Sequence, residues 1–595
     1  MENKDFVRNY KDSELIKRLV GFLKPYKWRF ITGIIVTILL VLLDLVPSYL
    51  IGVLIQILDS QIDLNQKILY LSILICGYFA LIFIVSFVTY FNTMLLQKVG
   101  QKILYDIRYQ VFNHIENLSI AQINKQPIGR LVTRVTSDTI SLNDFFTNVL
   151  VNLIRSFLTV IFVIVIMFVI NVKLTLILLA ILPVLALTSY YFRKCARKAS
   201  RSVRKDVSNI NAFLSENLSG MKVTQVFNQE EKKYLEFKER NESLKKSSLK
   251  EILIFGIFQP TIYILNICCQ LLVIYFGILE IRNLRLTRDK FVTFYMYIGN
   301  FFNPIQQITQ LFNQIQQAFS STERILTVLD TKKEVLNKEN PIVLEKLEGK
   351  IVFDHVWFAY NDEDWILKDV SFTINPKETV AFVGATGAGK TTILGLIVRN
   401  YDINRGHIYL DDIDILDIEI ESLRRLVGQM LQDVFMFSGS IYSNITLRDE
   451  RFNLNEVVEA ATYVNANKFI EKFPDKYDHK VFERGNNFSA GQKQLISFAR
   501  TILHKPNIMI LDEATSNIDT ETEVLIQDSL EKMKSVGTML IVAHRLSTVQ
   551  HADKIIVLKK GEIVEQGNHQ ELLKNKGLYY GLYKIQFEKM EKTNE

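Results

Sequence analysis

The sequence predicts two domains of different class: an α-helical membrane domain with about six spanning helices, followed by an α/β domain of the phosphate-loop type. Two observations support this division. Long apolar runs fill the first half of the 595-residue chain, and a glycine-rich loop lies between an apolar strand and an apolar helix in the second half. A polar, breaker-containing stretch separates the halves. We therefore expect a membrane domain over residues 1–330, a linker over 331–340 and an α/β domain over 341–595.

Composition favours a membrane protein and argues against a nucleic-acid-binding ATPase. Hydrophobic residues make up 49% of the chain, and its mean hydropathy is +0.14. The net charge of +7 suits several classes, but the basic residues cluster at the borders of apolar segments and not in a stripe beside the α/β half. The four cysteines lack metal-site spacing and lie in or beside apolar runs, so we expect neither a disulfide framework nor a metal site.

Six apolar runs reach or approach the ~20 residues that a spanning helix needs. The last is the weakest, because Asn300, Asn303 and the Gln306–Gln307 pair interrupt it. The runs are Phe30–Leu58, Ile68–Leu96, Phe145–Ile170, Leu174–Phe192, Ile252–Leu279 and Phe291–Phe312.

Charge predicts the orientation of the spans. The polar stretches Gln97–Asp144 and Arg193–Lys250 lie between spans, and the second begins with a dense group of Arg and Lys. The positive-inside rule places both in the cytoplasm. Arg282, Arg285 and Arg288 would then face outside, which the sequence does not explain.

Leu15–Leu23 has helical apolar spacing typical of a helix on the membrane surface, although a solvated helix has the same pattern.

Two charged residues fall inside the predicted spans, Asp44 in the first and Arg155 in the third. A charge in the bilayer interior usually faces a partner or a wet cavity. The two residues could pair with each other or line a substrate path. Alternatively, Arg155 lies near a helix end and extends its charge to the interface.

The phosphate-loop pattern Gly-x-x-x-x-Gly-Lys-Thr begins at Gly384 and is preceded by the apolar stretch Thr379–Val383. Glycines allow backbone N–H groups to surround phosphates, and the following helix N-terminus favours an anion. We expect the Lys390 ammonium to reach the β- and γ-phosphates of a nucleotide, and the Thr391 hydroxyl to bind Mg²⁺. The full set of expected nucleotide-binding residues here is Gly384, Ala385, Thr386, Gly387, Ala388, Gly389, Lys390, Thr391 and Thr392.

Acidic residues follow a second apolar strand, Asn507–Leu511. In a chain with a phosphate loop, Asp512 would hold Mg²⁺ and Glu513 would polarise the attacking water. A third strand, Thr538–Ala543, ends at His544, which could reach a γ-phosphate or simply cap the strand.

Two further segments could contact a nucleotide. The turn Asn487–Gln492 precedes an apolar helix and could bind an anion at the helix N-terminus. Among the aromatics of Val356–Tyr360, one could stack on adenine, although spacing alone favours strand core for Trp357 and Phe358.

These motifs occur in the same order as in half-size ABC exporters, and the whole chain resembles a member of that family. The resemblance implies an ABC ATPase domain with a RecA-like core, an antiparallel β subdomain and a helical subdomain. It implies that Tyr360 stacks on adenine, that Gln432 contacts Mg²⁺ and the membrane domain, and that Ser489, Gly491 and Gln492 of the signature Phe488–Gln492 bind ATP. It makes Glu513, His544 and Gln432 the catalytic residues and Thr391, Gln432 and Asp512 the Mg²⁺ residues. Glu483–Gly485 resembles the family's X-loop, and Ser516–Asp519 its D-loop.

The same resemblance implies a dimer, because in this family each ATP lies between the phosphate loop of one ATPase domain and the signature of another. The signature departs from the usual Leu-Ser-Gly-Gly-Gln at Phe488 and Ala490. In a homodimer both ATP sites would contain Ala490. In a heterodimer Ala490 would face the partner's own phosphate loop. The tract Tyr297–Pro304 and the signature context Gly485–Asn487 resemble the catalytically intact half of bacterial heterodimers.

The predicted function is ATP-driven export of amphipathic, multidrug-type molecules across the cell membrane, with the ATPase domain in the cytoplasm. Expected partners are the lipid bilayer, an amphipathic substrate and a second half-transporter subunit, but no nucleic acid. Turns near Ala121–Gln126 and Glu216–Gln225 are candidates for contact with the ATPase domains. A lipid flippase is the main alternative, a peptide exporter is less favoured, and a gated channel or regulatory subunit would not need an intact Glu513.

Overall fold

The computed structural model describes residues 10–361, 364–431, 433–512, 520–542 and 549–585. The chain divides into two compact units. The first comprises Met1–Glu116 and Ile128–Thr331, and the second comprises Asn117–Pro127 and Lys332–Glu595. The short segment 117–127 therefore belongs to the C-terminal unit, although it lies within the N-terminal half of the sequence.

Helices make up most of the described chain from residue 10 to residue 331. Two π-helical turns, Arg134–Asp138 and Phe145–Val149, link α5, α6 and α7 into one continuous helix. The helices are α1 Asp12–Leu23, α2 Lys27–Asp59, α3 Leu64–Glu116, α4 Ile120–Asn124, α5 Ile128–Thr133, α6 Thr139–Asp144, α7 Leu150–Ile170, α8 Val172–Leu179, α9 Leu182–Ser219, α10 Met221–Val226, α11 Glu230–Arg282 and α12 Arg288–Leu329.

Within the described residues, 5 helical stretches are long and apolar enough to cross a membrane: Asp12–Asp59, Leu64–Glu116, Ile128–Ile170, Val172–Ser219 and Glu230–Arg282. Each contains one of the first five predicted spans. The sixth predicted span lies in α12, which is a continuous helix but carries the amides noted above. The membrane helices extend well beyond their apolar windows, so the charged stretches that follow them remain helical.

Ion pairs join helix ends on the side that charge predicts to be external. Lys173 pairs with the buried carboxylate of Glu280 at 2.7 Å, and Arg288 lies 3.8 Å from Asp59. Of the three arginines predicted to face outside, Arg288 thus has an acidic neighbour in Asp59. The apolar core of the same unit is formed chiefly by α7, α8, α11 and α12, with residues such as Met167 and Phe294 fully buried.

One apolar face of α1 packs against the other helices of the first unit. Leu15, Leu19 and Leu23 are buried, and the last two pack with Ile103 of α3. Ile16 and Val20 on the same helix remain exposed and are therefore the residues available for the membrane surface.

The second unit is built on a six-stranded sheet of order β12-β11-β3-β10-β9-β6, in which all neighbours except the β11–β12 pair run parallel. A four-stranded antiparallel sheet, β2-β1-β4-β5, and a short β7–β8 pair accompany it. The strands are β1 Ile351–Ala359, β2 Trp365–Ile374, β3 Thr379–Gly384, β4 Arg405–Leu410, β5 Ile413–Asp414, β6 Val427–Met430, β7 Gly439–Ser440, β8 Lys480–Val481, β9 Ile508–Asp512, β10 Thr538–Val542, β11 Lys554–Lys559 and β12 Glu562–Gly567.

The described residues of this unit form three hydrophobic cores. The first joins the antiparallel sheet to the phosphate-loop helix, and the second contains the helices that follow β6. A third, smaller core packs β3 and β11 against Leu572 and Tyr579. The helices of the unit after α4 are α13 Lys390–Ile397, α14 Ile420–Leu426, α15 Ile441–Ile445, α16 Leu454–Tyr463, α17 Asn467–Ile470, α18 Ala490–Leu503, α19 Thr520–Met533 and α20 His569–Asn575.

Candidate nucleotide and membrane sites

The predicted phosphate loop connects β3 to α13, as the sequence pattern requires. Gly387 and Gly389 have φ of 81° and 102°, a left-handed conformation that favours glycine. A Cβ on Gly389 would also lie 2.7 Å from Leu367 Cδ2. Because Gly389 precedes α13 and no side chain caps this helix, its first N–H groups form a cradle that suits a phosphate.

Lys390 is held within this loop. Its side chain is buried, with the residue 6% exposed, and its Nζ donates to the carbonyl oxygens of Gly384 at 2.8 Å and Ala385 at 3.1 Å. Burial of an ammonium is costly unless it is hydrogen-bonded. The loop therefore places a fixed positive charge beside the cradle.

The sheet topology brings the predicted catalytic segments to one edge. The parallel strands β3, β10, β9 and β6 end on the same side, and the register pairs Asp512 with Val542. Ligands in open α/β sheets bind outside the carboxyl ends of the strands. Asp512 thus lies at the edge from which the phosphate loop begins. Gln432, Glu513, His544 and the segment Ser516–Asp519 lie outside the described residues.

Tyr360 lies next to the phosphate loop. Its hydroxyl is 3.1 Å from the Thr392 hydroxyl, and the residue is 43% exposed. Phe358 and Tyr401 both contact the Tyr360 ring edge to face, with centroids 4.9 and 5.1 Å away. Burial raises the pKa of the Tyr360 phenol, while the hydrogen bond with Thr392 lowers it. The arrangement fixes the ring and leaves part of it open to a flat ligand.

Tyr401 is a candidate contact residue that the sequence analysis missed. It lines a cavity of about 500 Å³ together with Tyr360, Phe358 and Asn124. The Asn124 amide lies at 3.5 Å from the Tyr401 hydroxyl, so the cavity is bordered by the segment 117–127. The only sequence signal is an aromatic residue shortly after α13, and that signal gains meaning only from the fold.

The segment 117–127 is anchored in the C-terminal unit by polar contacts. Ser119 and Gln122 form a capping box at α4, and the Gln122 amide donates to the Lys332 carbonyl at 2.7 Å. Lys125 pairs with Glu334 at 3.1 Å. The predicted contact turn Ala121–Gln126 lies within this segment. The other predicted turn corresponds to α10, where Val223, Val226 and the adjacent Phe227 are exposed.

The signature lies at the N-terminus of α18. The Ser489 hydroxyl accepts a hydrogen bond from the Gln492 N–H at 3.2 Å, and the Gln492 Oε1 accepts from the Ser489 N–H at 3.0 Å. Ser489 and Ala490 are exposed, whereas Phe488 packs in the second core. The phosphate-loop helix packs in the first core, so the two motifs are supported by different parts of the unit.

Comparison with known proteins assigns the family. Residues 30–305 match the model of the ABC transporter transmembrane region, and residues 367–516 match the ABC transporter model of the ATPase domain. The uncharacterized ABC transporter ATP-binding protein YknV of Bacillus subtilis is 37% identical over 96% of this chain and 94% of its own length. This chain belongs to the ABC transporter family.

Two other relatives differ in the transport that their names describe. The "Probable multidrug resistance ABC transporter ATP-binding/permease protein YheH" of Bacillus subtilis is 36% identical over 86% of this chain and 76% of its own length. The "ATP-dependent lipid A-core flippase" of Syntrophus aciditrophicus is 31% identical over 98% of this chain and 96% of its own length. This ABC transporter is therefore a multi-pass membrane protein with an ATP-binding domain that couples hydrolysis to transport.

The charged residues predicted within the spans of the ABC transporter pair with each other. Arg155 Nη2 donates to Asp44 Oδ2 at 2.5 Å, which joins α7 to α2. Of the possibilities open at the level of sequence, the structure thus favours pairing, and the pair remains partly exposed.

Proposed function

We propose that this chain exports amphipathic small molecules across the cell membrane, driven by ATP hydrolysis at a dimer interface. The observation that carries this proposal is the joining, in one chain, of apolar spanning helices to a phosphate-loop unit that incorporates the segment 117–127 from between two spans. A conformational change of the ATPase unit would act directly on the spans through that segment. The multidrug name of one relative supports the substrate class.

The residues present fit a bound Mg-nucleotide. The N–H cradle after Gly389 and the Lys390 ammonium would hold the phosphates, Tyr360 would support the adenine, and Thr391, Gln432 and Asp512 would hold Mg²⁺. Bound Mg²⁺ would neutralise charge that develops on the phosphate oxygens. Glu513 would accept a proton from the attacking water, and His544 would contact the γ-phosphate.

A dimer is expected because, in this family, each ATP lies between the phosphate loop of one ATPase domain and the signature of another. Ser489, Gly491 and Gln492 of a second ATPase unit would complete the site begun by the phosphate loop. Ser489 and Ala490 are exposed and would be accessible to that unit, whereas Gly491 is buried. The partner is a second half-transporter, either another copy or a different chain. Mass and Mg-ATP hydrolysis of this chain alone in nanodiscs separate these cases: an active dimer indicates a homodimer, and an inactive chain indicates a missing partner.

The test of the ATPase assignment is Glu513→Gln. We expect this variant to bind nucleotide like the wild type but to lose turnover by at least ~100-fold, because the attacking water loses its base. Glu531→Gln is the matched control, since Glu531 pairs with Lys534 on an exposed helix surface. Hydrolysis by Glu513→Gln at the wild-type rate would refute the role of Glu513.

A lipid flippase is the second candidate, and it is supported by the flippase relative. The two functions predict different readouts in proteoliposomes. Export moves a water-soluble amphiphile into the lumen of inside-out vesicles, whereas flipping moves a labelled phospholipid between leaflets. Each assay requires ATP, and the Glu513→Gln variant gives its background.

A further inference from the structure

A polar layer crosses the otherwise apolar contact between α2, α7 and α12. Besides the Asp44–Arg155 pair, the Asn300 amide donates to the Ser48 hydroxyl at 3.0 Å. The Ser156 hydroxyl donates to Gln307 Oε1 at 3.2 Å. The Tyr297 hydroxyl also donates to the Leu45 carbonyl at 3.0 Å. The layer thus contains one ion pair, two amide–hydroxyl pairs and this hydroxyl–carbonyl bond, and all three helices contribute.

This layer lies within the predicted bilayer, about 22 Å from the border at Asp59 and therefore about 8 Å from the opposite border. Asp59 at the end of α2 approaches Arg288 at the start of α12, so these residues mark one membrane border. At about 1.5 Å per helical residue, Asp44 is about 22 Å from Asp59, and Arg155 is about 22 Å from the end of α7 at Ile170. The hydrocarbon core is about 30 Å thick. The agreement of the two depths is consistent with their pairing.

The pair is not enclosed by the chain. The side chains of Arg155 and Asp44 remain 45% and 35% exposed. Charges turned toward lipid tails are expensive, and charges inside membrane proteins face a wet cavity or a polar partner. Because pairing leaves these fractions of both side chains exposed, we expect this face of the bundle to border a polar compartment and not lipid tails. The compartment lies at the depth where an amphipathic molecule would present its head group.

The charges of the pair select the chemistry of that head group. Asp44 and Arg155 neutralise each other, so adding a singly charged ion would leave a net charge in a region of low dielectric constant. A zwitterion adds one charge of each sign and keeps the sum at zero. Within the described contacts the guanidinium uses only Nη2, and a guanidinium has five N–H donors that can serve an anionic group.

We propose that Asp44 and Arg155 bind the zwitterionic head group of an amphipathic substrate, with its cationic group at Asp44 and its anionic group at Arg155. The amides of Asn300 and Gln307 lie beside the pair and provide neutral hydrogen-bonding groups. This proposal rests on the proposed transport function and specifies its substrate class. Its alternative is that the pair serves only to fasten α2 to α7.

The test uses three probes with the same dodecyl chain: dodecylphosphocholine, dodecyltrimethylammonium and dodecyl phosphate. Their binding to the full chain in nanodiscs is measured without ATP, by competition with a fluorescent dodecylphosphocholine analogue. In the wild type, the zwitterionic probe is expected to compete about tenfold better than either probe that carries a net charge. Equal competition by all three probes would overturn the proposal without any variant.

The two single variants should change the ranking of affinities for the three probes in opposite directions. Asp44→Asn leaves an unpaired cation and should favour dodecyl phosphate, whereas Arg155→Gln should favour dodecyltrimethylammonium. The exchange of both charges, D44R/R155D, should restore preference for the zwitterion. A pair that only fastens helices would leave the order unchanged in every folded variant, which would refute the proposal.

Asp59→Asn is the control, because it removes an exposed ion pair at the membrane border and should not change the order. Hydrolysis and transport are measured separately on the same preparations. If the probes bind in the expected order but none is transported, the proposed function fails while the binding site stands. If transport is intact but the order never changes, only the binding site fails.

Discussion

The two predicted halves of the nucleotide site are built in opposite ways. The phosphate loop is internally supported: Lys390 is buried and donates to its own loop, and the following helix packs in the first core. The signature is a surface feature, because Ser489 and Ala490 are exposed. One half is thus preformed within the chain, and the other is presented outward.

The difference also concerns the hydrogen-bonding groups. No side chain caps α13, so its N-terminus is prepared for an anion. At α18, by contrast, Ser489 already accepts from the Gln492 N–H. A phosphate at this second helix would have to compete with a side chain of the same unit. We infer that the phosphate loop determines nucleotide affinity and that the signature acts mainly when a second ATPase unit closes on it.

The largest effect is expected from Lys390→Ala. Loss of a charge aimed at the phosphates should reduce hydrolysis by at least ~100-fold and weaken nucleotide binding, because one preorganised donor commonly contributes that much. Lys554→Ala is the matched control, since its ammonium donates to a backbone carbonyl, that of Thr373, at 2.9 Å. Steady-state hydrolysis and binding of a fluorescent ATP analogue measure the two effects. Comparable activity in the two variants would contradict the role of Lys390.

An intermediate effect is expected from Ser489→Ala. Loss of the cap should destabilise the protein by about 0.5–2 kcal/mol and should lower hydrolysis about tenfold while leaving nucleotide binding intact. Asn453→Ala is the control, because Asn453 and Glu456 form the same capping box on α16. Thermal unfolding should respond alike to both variants, whereas hydrolysis should respond only to Ser489→Ala. Equal loss of hydrolysis in both would reduce the signature to a structural cap.

A smaller effect is expected at Tyr360. Tyr360→Ala should raise the KM for ATP about tenfold, because stacking of a base on an aromatic ring contributes about 1–3 kcal/mol. Tyr360→Phe keeps the ring and removes only the contact with Thr392, so its KM should change less than about threefold. If both variants raise KM equally, the hydroxyl and not the ring is the important group.

Local sequence order was sufficient for some features. A β-branched strand, a glycine-rich loop and an apolar helix follow one another directly, so the phosphate loop could be located without knowledge of the fold. The spans could be located because bilayer thickness sets helix length.

Features that depend on distant parts of the chain could not be predicted in this way. Tyr401 contacts Tyr360 only because α13 and the sheet bring them together. The segment 117–127 joins the C-terminal unit through Lys332 and Glu334, which are remote in sequence. Asp44 and Arg155 were candidates for a pair, but their separation on different helices left other arrangements open. In each case the missing information was a tertiary contact.

The smallest effect is expected from Ala490→Gly, which restores the glycine of the usual signature. The groups of this segment that can contact a nucleotide are the Ser489 hydroxyl and backbone N–H groups, and both are present with either residue. Glycine should cost helix α18 up to about 1 kcal/mol, and hydrolysis should change less than about threefold. Thermal unfolding and steady-state hydrolysis of the full transporter measure these changes. A tenfold increase in hydrolysis would instead show that the Ala490 methyl group restrains closure of the two ATPase units at a site that hydrolyses ATP. The signature would then limit the rate of hydrolysis as directly as the phosphate loop does.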